Sequence, residues 1–387
     1  MNKTLTMIFV LILSIYANAE SSKKDSLKVV SYNLGLAHTF VPLAKERLPF
    51  LKETLSKSDA DVLCLQEVWK KKDRKKIKKE LKEIFLHSYF EKIKNVKSKR
   101  RPTCKIKELF GEGKFVGCMQ KNCSGKEGDD FTDCIIQTCG GALRSLKESN
   151  RECATSLMAQ VGKSTLGAMV TILNPFKRAG LFAYKGSDGL MLLSKYPLKN
   201  TKYLDLSKIS TLNRRAALIA EIEINNQTHK VGCTHISSDL EATVPYTGTF
   251  ENWGEENKEQ LKVLLTEMDE FKDSSILMGD LNCGFENPTL GLTGELEESC
   301  EQISQFQFSN ALLESGNEEC TFCSTNRLNE GETTDKIIDH VLLKGINFSA
   351  AKVIYQEEIE VEKEKGELVK TNLSDHYGIE VTIPLKN

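Results

Sequence analysis

Short apolar segments, separated by helical patterns, recur along this sequence and limit its fold more than any other feature. The clearest are LKVVSYN (27–33), DVLCLQE (61–67), GLMLLSKYPL (189–198), RRAALIAEIEI (214–224), HKVGCTH (229–235), SSILMGDLN (274–282), KIIDHVLL (336–343) and YGIEVTI (377–383). Their length and their aromatic and β-branched content are typical of β-strands. Several follow one another in hairpin-like succession, so the pattern predicts an α/β sandwich and not a doubly wound parallel sheet.

The bulk composition leaves the domain organisation open but narrows the function. A chain of 387 residues can bury a large core, either as one domain with insertions or as two domains. The formal charge of −1 excludes the globally basic character of a polyanion-binding protein. We expect one domain over residues 20–387 that is interrupted by an insertion.

The first residues have the composition of a secretory signal peptide. Lys3 precedes an apolar run at residues 7–16, and Ala17, Asn18 and Ala19 supply small residues before Glu20. The run is shorter than the roughly 20 apolar residues of a membrane-spanning helix. We therefore expect a signal peptide at residues 1–19 and a mature protein that is secreted or periplasmic.

Cysteines are concentrated in one polar, glycine-rich part of the chain. Of the 12 cysteines, a cluster lies at Cys104, Cys118, Cys123, Cys134, Cys139 and Cys153. An exported chain can keep its thiols oxidised, so we predict an insertion at about 97–180 whose internal disulfides order a loop with little core of its own. The pairing stays open. A zinc cluster is a less favoured alternative, because few histidines accompany the cysteines.

Four of the six cysteines outside this cluster lie in two different settings. Cys64 and Cys233 fall inside apolar strand patterns, which indicates either core thiols or a bridge between neighbouring strands. Cys320 and Cys323 form a C-x-x-C motif without a thioredoxin-like context. A local or long-range disulfide is the favoured interpretation there, ahead of redox chemistry.

Polar residues stand at the ends of the predicted strands. They are Asn33, Glu67, His235, Asp280, Asn282, Asp339, Asp375 and His376. Buried carboxylates without partners are strongly disfavoured, so their repeated placement beside apolar strands predicts that they converge and that a cation compensates them.

Oxygen ligands with histidine favour a hard divalent ion, Mg²⁺ first, with Mn²⁺ and Ca²⁺ as alternatives. Zinc is less favoured, because no H-E-x-x-H motif or thiolate cluster joins this set. A hard cation, carboxylates and histidine together suit hydrolysis of a phosphate ester.

The segments VVSYN, DVLCLQEVW, GLMLLSKYPL, THISSDL, ILMGDLNCG, IIDHVLLK and LSDHYGIEVT also carry a family resemblance. In this order they resemble the endonuclease/exonuclease/phosphatase superfamily, which includes deoxyribonucleases, apurinic endonucleases, inositol-polyphosphate phosphatases and neutral sphingomyelinases. The resemblance covers the chain from about 27 to 384 except for the cysteine-rich insertion. It implies a four-layered α/β sandwich, in which two packed, mainly antiparallel sheets are flanked by helices.

The resemblance also implies a metal site. Glu67 is similar to the family's principal Mg²⁺ ligand, and Asn33 and Asp375 are expected to line the same pocket. Arg215 stands where family members often carry a basic residue before a strand. It is expected either to bind substrate or to be a strand-end charge in solvent.

The remaining motif residues are similar to the family's catalytic groups. Asp280 is expected to orient or activate the attacking water, and Asn282 to hold a phosphoryl oxygen. His376 is expected to contact the phosphate while Asp339 hydrogen-bonds its other ring nitrogen. His235 is expected on the leaving-group side.

The resemblance implies a phosphodiester substrate, and a membrane lipid met at an interface is the favoured one. The G-L-x-x-x-S-K-x-P pattern and the expected export resemble sphingomyelinases. The apolar stretch at 165–182, interrupted by Lys177 and Arg178, could rest at a lipid surface or be buried against the rest of the protein.

The sequence also allows three alternatives to a phospholipid phosphodiesterase. It shows no obligate protein partner. A secreted DNase-like endonuclease would use the lysines and arginines of residues 70–107 to contact nucleic acid. The same residues could contact anionic lipid or form a solvated helix face. A phosphatase of a soluble ester is disfavoured, because the sequence has no other basic cluster near the motifs. A non-catalytic surface-binding member is disfavoured because the metal and phosphate residues are all present.

Overall fold

The computed structural model describes residues 24–385, apart from residues 39, 127, 161, 162, 164, 243, 272, 273, 318, 364 and 365. The signal peptide expected at 1–19 and the start of the mature chain at Glu20 lie outside the described residues. Among the residues that are described, no helix has the length and apolar character needed to cross a membrane.

The described residues form the following strands and helices. The strands are β1 (Ser26–Asn33), β2 (Val62–Gln66), β3 (His87–Tyr89), β4 (Met191–Ser194), β5 (Lys199–Asp205), β6 (Ala216–Ile224), β7 (Gln227–His235), β8 (Ser275–Asp280), β9 (Ser309–Asn310), β10 (Asp339–Lys344), β11 (Ala350–Ile354), β12 (Glu358–Glu362), β13 (Leu368–Asn372) and β14 (Gly378–Pro384). The helices are α1 (Ala44–Ser56), α2 (Lys71–Leu81), α3 (Ile106–Leu109), α4 (Phe115–Asn122), α5 (Gly128–Met158), α6 (Thr165–Leu173), α7 (Trp253–Asp269), α8 (Glu297–Gln305) and α9 (Ala311–Glu314).

Most strands belong to two six-stranded sheets. The first has the order β11-β14-β1-β2-β4-β3, and the second has the order β5-β6-β7-β8-β10-β9. In the first sheet β1 and β2 run parallel, as β7 and β8 do in the second, and the other described pairings are antiparallel. Strands β12 and β13 form a separate hairpin. The mainly antiparallel sandwich predicted from the sequence is confirmed.

Side chains of β2 show how the layers are built. Val62 and Cys64 point into the apolar layer between the sheets, whereas Leu63 and Leu65 pack toward the helices on the outer face. This alternation is the ordinary two-residue period of a strand, and it explains why β2 is apolar on both faces.

Helices cover the outer face of each sheet. Leu51 of α1 and Ile77 of α2 pack on the first sheet, and Leu261 of α7 and Ile303 of α8 pack on the second. The Asn252 side chain accepts a hydrogen bond from the Glu255 backbone and so caps the start of α7. Helix, sheet, sheet and helix make the four layers.

The cysteine-rich insertion is a small helical unit. Lys97 and Gly180 pair in an isolated β-bridge, and α3 to α6 lie between them. Its cysteines pair as Cys104–Cys153, Cys118–Cys139 and Cys123–Cys134. Internal pairing is therefore confirmed, but the expectation of a loop with little core is wrong, because apolar side chains of α4, α5 and α6 form a cluster around the disulfides.

The remaining cysteines are also paired. Cys64 of β2 is bonded to Cys233 of β7, so this disulfide joins the two sheets and not neighbouring strands of one sheet. Cys283 pairs with Cys300 at the start of α8. Cys320 pairs with Cys323, which confirms a local disulfide.

Candidate active site

The ends of four strands meet at one edge of the sandwich. His235 of β7 lies opposite Asp280 of the parallel strand β8, and Asp339 of the antiparallel strand β10 lies on the other side of Asp280. Asn33 ends β1 in the facing sheet and reaches the same carboxylate. The predicted convergence of polar strand ends is therefore present for these residues.

Asp280 is the centre of the cluster. The Asn33 amide donates to its Oδ2 at 2.9 Å, and the backbone N–H of Asn282 donates to its Oδ1 at 3.0 Å. The Nε2 atoms of His235 and His376 lie 3.4 Å and 3.8 Å from Oδ2. Burial and the nearby Asp339 carboxylate raise the pKa of Asp280 to about 7. Such a value suits a group that exchanges a proton near neutral pH.

His376 and Asp339 form a buried pair. The Nδ1 of His376 lies 2.8 Å from Oδ2 of Asp339, as the family resemblance implies. Burial alone would disfavour the charged imidazolium. The carboxylates of Asp339 and Asp280 outweigh it and hold the pKa of His376 well above its usual range. Its Nε2 lies 3.8 Å from Oδ2 of Asp280, and a proton on it is available to donate.

His235 has the opposite character. Burial, with Arg215 and His376 nearby, holds the pKa of His235 well below its usual range. Its Nδ1 has no hydrogen-bond partner among the described residues. Two histidines that face one carboxylate thus have pKa values shifted in opposite directions, because their other neighbours differ.

Glu67 adopts a strained backbone and has an unsatisfied side chain. Its φ is +59°, in the left-handed region that costs a non-glycine residue about 1–3 kcal/mol. Its Oε2 is buried and finds no partner among the described residues. Burial and the Asp375 carboxylate raise the pKa of Glu67 to about 7. A cation beside Glu67 would relieve both the desolvation and the repulsion, so the side chains present fit a divalent metal.

Asp375 is held close to Glu67 by its own neighbours. Ser374 donates to its Oδ1 at 3.0 Å, and Gly35 packs directly against it. A Cβ on Gly35 would lie 2.1 Å from Oδ1 of Asp375, and the φ of Gly35 is +53°. Only glycine fits between β1 and this carboxylate.

Asn282 is fixed by the backbone of the neighbouring strand. Its φ is +49°, and its side-chain amide donates to the Ile236 carbonyl at 3.0 Å. One of its two amide hydrogens is used in this way. The bond turns the amide toward the strand that carries His235.

Arg215 is buried, with 4% of its surface exposed, so the alternative of a strand-end charge in solvent is wrong. Its Nε and Nη1 have no hydrogen-bond partner among the described residues. Burial lowers the pKa of Arg215, which the carboxylates of Glu67 and Asp280 partly oppose. A buried guanidinium with free donors suits binding of an anion.

Two aromatic residues at the site were missed by the sequence reasoning. The guanidinium of Arg215 lies 5.9 Å from the Trp69 ring, and Trp69 stacks on Tyr184 at 4.9 Å with an interplanar angle of 11°. Trp69 stands two residues after Glu67 in the QEVW motif, which was a usable signal. Tyr184 follows the insertion and belongs to no motif, so the sequence held no signal for it.

Comparison with known proteins supports the family. The model of the Endonuclease/Exonuclease/phosphatase family matches residues 30–376. No curated protein matches the chain significantly by sequence.

Among solved structures, SmcL is 13% identical, with a TM-score of 0.54 over 93% of this chain and 99% of that one. Sphingomyelinase C from Streptomyces griseocarneus is also 13% identical, with a TM-score of 0.52 over 93% and 99%. Truncated TDP2 from Caenorhabditis elegans is 13% identical, with a TM-score of 0.50 over 94% and 99%. At such identities the likeness shows the shared fold alone.

The family match spans nearly all of the sandwich. The chain belongs to the Endonuclease/Exonuclease/phosphatase family, and it is a metal-dependent phosphoric ester hydrolase.

Proposed function

We propose that this chain is a secreted, Mg²⁺-dependent phosphodiesterase that hydrolyses the headgroup phosphodiester of a membrane phospholipid, in the manner of a sphingomyelinase. The reaction type rests on one observation. The Oδ2 of Asp280 lies 3.4 Å from Nε2 of His235 and 3.8 Å from Nε2 of His376, and the buried Oε2 of nearby Glu67 has no hydrogen-bond partner among the described residues. This arrangement offers a base, donors to a phosphoryl group and a cation site within one cluster.

Glu67, Asn33 and Asp375 would hold the Mg²⁺ ion. Asn33 donates through Nδ2 to Asp280 and accepts the Gly35 N–H at Oδ1, which leaves a second lone pair on that oxygen. The Asp280, Asp339 and His376 ligand atoms also lie within 4.8 Å of one another. We assign that trio to catalysis, because His376 and Asp339 already bond each other. When bound, the ion would supply positive charge for the phosphoryl oxygens.

The other residues act on the water, the phosphoryl group and the leaving group. Asp280, with its pKa near 7, would orient and deprotonate the attacking water. The charged His376 would donate from Nε2 to a phosphoryl oxygen, held in place by Asp339 at Nδ1. Asn282 and Arg215 would bind further phosphoryl oxygens with their free N–H groups, and we place His235 on the leaving-group side.

Export is supported by the disulfides. All 12 cysteines lie in the described part of the chain and are paired. Such complete pairing is typical of proteins outside the cytosol. It agrees with the proposed cleavage of residues 1–19 and a location outside the cell or in the periplasm.

An exposed apolar surface on the insertion supports the lipid substrate. Leu166 and Val170 on one face of α6, and Phe176 after it, are 75%, 59% and 83% exposed. Lys177 and Arg178 beside them are also exposed. The opposite face of α6 packs into the insertion, so the expected burial holds for one face only. Exposed large apolar side chains next to basic ones are typical of contact with a lipid interface.

A second candidate, a secreted DNase-like endonuclease, is favoured by the exposed face of α2. Lys71, Lys72, Lys75, Lys76 and Lys79 are exposed, and none forms an ion pair with another described residue. Such a row of cations could contact a nucleic-acid backbone, and binding would then weaken steeply with salt.

A substrate panel separates these functions. Purified mature protein with Mg²⁺ is given sphingomyelin vesicles, duplex DNA, RNA and a soluble phosphate monoester. Release of phosphocholine without nucleic-acid cleavage is the expected result. DNA cleavage without lipid turnover would indicate a nuclease in place of a phospholipid phosphodiesterase. Turnover of the monoester alone would indicate a phosphatase. No turnover of any of the four would indicate a non-catalytic member.

The apolar surface is tested in the same panel. Leu166→Glu combined with Val170→Glu should reduce turnover on vesicles about tenfold or more, because burial of each leucine-sized side chain is worth about 1.5–3 kcal/mol. Hydrolysis of soluble bis(4-nitrophenyl) phosphate should stay unchanged. Leu368→Glu, at another exposed leucine on the β12–β13 hairpin, is the matched control.

A further inference from the structure

The C-x-x-C motif at Cys320 and Cys323 lies against the candidate active site. The disulfide closes the start of a segment, residues 321–329, that we call the support loop. Phe322 of this loop forms isolated β-bridges with Lys336, just before β10, and with His376, just before β14. The loop therefore touches both chain segments that carry the His376–Asp339 pair.

Thr321 binds the backbone on both sides of this pair. Its Oγ1 accepts the N–H groups of Ile338 at 3.1 Å and of Asp339 at 3.2 Å. Its carbonyl accepts the N–H of Tyr377 at 2.8 Å. One residue thus sets the spacing between the start of β10 and the residue that follows His376.

Phe322 limits the orientation of the His376 ring. The two ring centroids are 5.1 Å apart with an interplanar angle of 61°, an edge-to-face contact. Asp339 holds Nδ1 of the same imidazole from another side. The hydrogen bond to Asp339 and the contact with the Phe322 ring together hold the His376 imidazole in a single rotamer. Its Nε2–H therefore keeps a single direction.

Two asparagines extend the loop to Ser374 and Asp375. The side-chain amide of Asn326 donates to the Ser374 carbonyl at 2.8 Å. The side-chain amide of Asn329 donates to the Asp375 carbonyl at 2.9 Å and to the Cys323 carbonyl at 3.0 Å. The loop is consequently bonded to the backbone of Ser374 and Asp375 through these two amides, and to that of Tyr377 through Thr321.

We infer that the support loop, closed by the Cys320–Cys323 disulfide, positions Asp339, Asp375 and His376 for hydrolysis, with Thr321 and Phe322 as its positioning residues. The inference rests on the roles proposed above for His376 and Asp339. It does not depend on which phosphodiester is the natural substrate. Misplacing a catalytic group by about 1 Å can cost about a hundredfold in rate, which is how a residue without substrate contact can matter.

The test compares Thr321→Val, which removes the Oγ1 acceptor at similar volume, with Thr321→Ser, which keeps it. Turnover of bis(4-nitrophenyl) phosphate with Mg²⁺ is measured well below each variant's Tm. Thr321→Val should lower kcat about ten- to a hundredfold with KM within about twofold, and Thr321→Ser should keep the wild-type kcat. A lower Tm with normal kcat in Thr321→Val would show a merely structural role and overturn the inference.

Removal of the disulfide provides a second comparison. Cys320→Ser with Cys323→Ser should lower kcat, whereas Cys118→Ser with Cys139→Ser in the insertion should leave it unchanged. Equal activity of the two double variants would contradict a role for the closed loop.

A readout without turnover separates this inference from the proposed function. The proton NMR signal of the His376 Nδ1 hydrogen, protected by Asp339, should be present in the wild-type protein and absent or shifted in Thr321→Val. An unchanged signal in Thr321→Val would overturn the inference. If the wild type hydrolyses no ester while the signal still responds, the proposed function fails and the positioning stands.

Discussion

The sandwich and the cysteine-rich insertion fill their interiors in different ways. Between and outside the sheets, the buried clusters consist largely of Leu, Ile and Val side chains that alternate along regular strands. In the insertion, the buried cluster contains most of its cysteines, and its disulfides span 49, 21 and 11 residues. Burial of apolar surface stabilises the sandwich, and disulfides supply much of the stability of the insertion.

The difference follows from size and composition. The insertion has a smaller apolar cluster than the sandwich, and its crosslinks add stability by restricting its unfolded chain. The sandwich has apolar cores on both sides of each sheet. These can offset the cost of burying Glu67, Asp280, Asp339 and His376 at the strand ends.

The two regions nevertheless meet beside the active site. Met158 at the end of α5 packs with Leu212, Tyr246 and Trp253 of the sandwich. Tyr184, on the segment that returns from the insertion, stacks on Trp69.

The largest expected effect is on activity and comes from Glu67 in the sandwich. This residue serves the chemistry, but its burial costs stability. Glu67→Gln should reduce turnover about a thousandfold or greatly raise the Mg²⁺ requirement, since a metal ligand is worth several kcal/mol in the transition state. Its Tm should be unchanged or higher, because the change removes a buried carboxylate whose Oε2 has no hydrogen-bond partner among the described residues. Activity is titrated against Mg²⁺, with Glu301→Gln on the exposed face of α8 as control. Normal activity of Glu67→Gln in the presence of a chelator would refute the metal assignment.

A smaller effect is expected from removing a crosslink in the insertion. Cys104→Ser with Cys153→Ser should destabilise that region by about 2–5 kcal/mol, because this disulfide closes the longest of its loops. Limited proteolysis should then cut first within residues 97–180 while the sandwich stays folded. Turnover of a soluble phosphodiester should survive in the intact protein. Simultaneous unfolding of both regions would show that they form one cooperative unit and would break the comparison.

The smallest expected effect is a pH dependence confined to the sandwich, since residues 97–180 contain no histidine. Burial lowers the pKa of His229, whose Nδ1 lies 2.9 Å from Ser274 Oγ. The unfolded chain therefore takes up this proton at a higher pH than the folded one. The stability contributed by neutral His229 is complete above the unfolded pKa of about 6.5 and is lost as the pH falls below it.

The measurement is the free energy of unfolding between pH 7 and pH 5, in the wild type and in His229→Gln. The free energy of unfolding should fall less steeply with decreasing pH in the variant than in the wild type. The difference in slope should be up to about 1.4 kcal/mol per pH unit, which is the limit for one proton. The other titrating groups are the same in both proteins, so their contributions cancel. His87→Gln, at a half-buried histidine of β3, is the control. Identical slopes for wild type and His229→Gln would rule out this contribution.

Much of the fold and of the site was predictable from local patterns. The apolar segments became strands of the sandwich, and Asn33, His235, Asp280, Asp339 and His376 lie together as their strand-end positions predicted. Less was predictable in the insertion. Its helices were not expected, because its apolar side chains are spread among glycines, lysines and cysteines without a clear period.

The sequence by itself determined the fold class, the number of cysteines available for crosslinking and the polar groups at the strand ends. These depend on side-chain alternation and on turn position, which neighbouring residues decide. Only the tertiary structure decided which cysteines pair, that Arg215 is buried with no described hydrogen-bond partner at Nε and Nη1, and that Tyr184, Thr321 and Phe322 lie at the site. Those facts depend on contacts between segments far apart in the chain. Such contacts form because packing lowers the free energy of the whole molecule, and no local pattern records them.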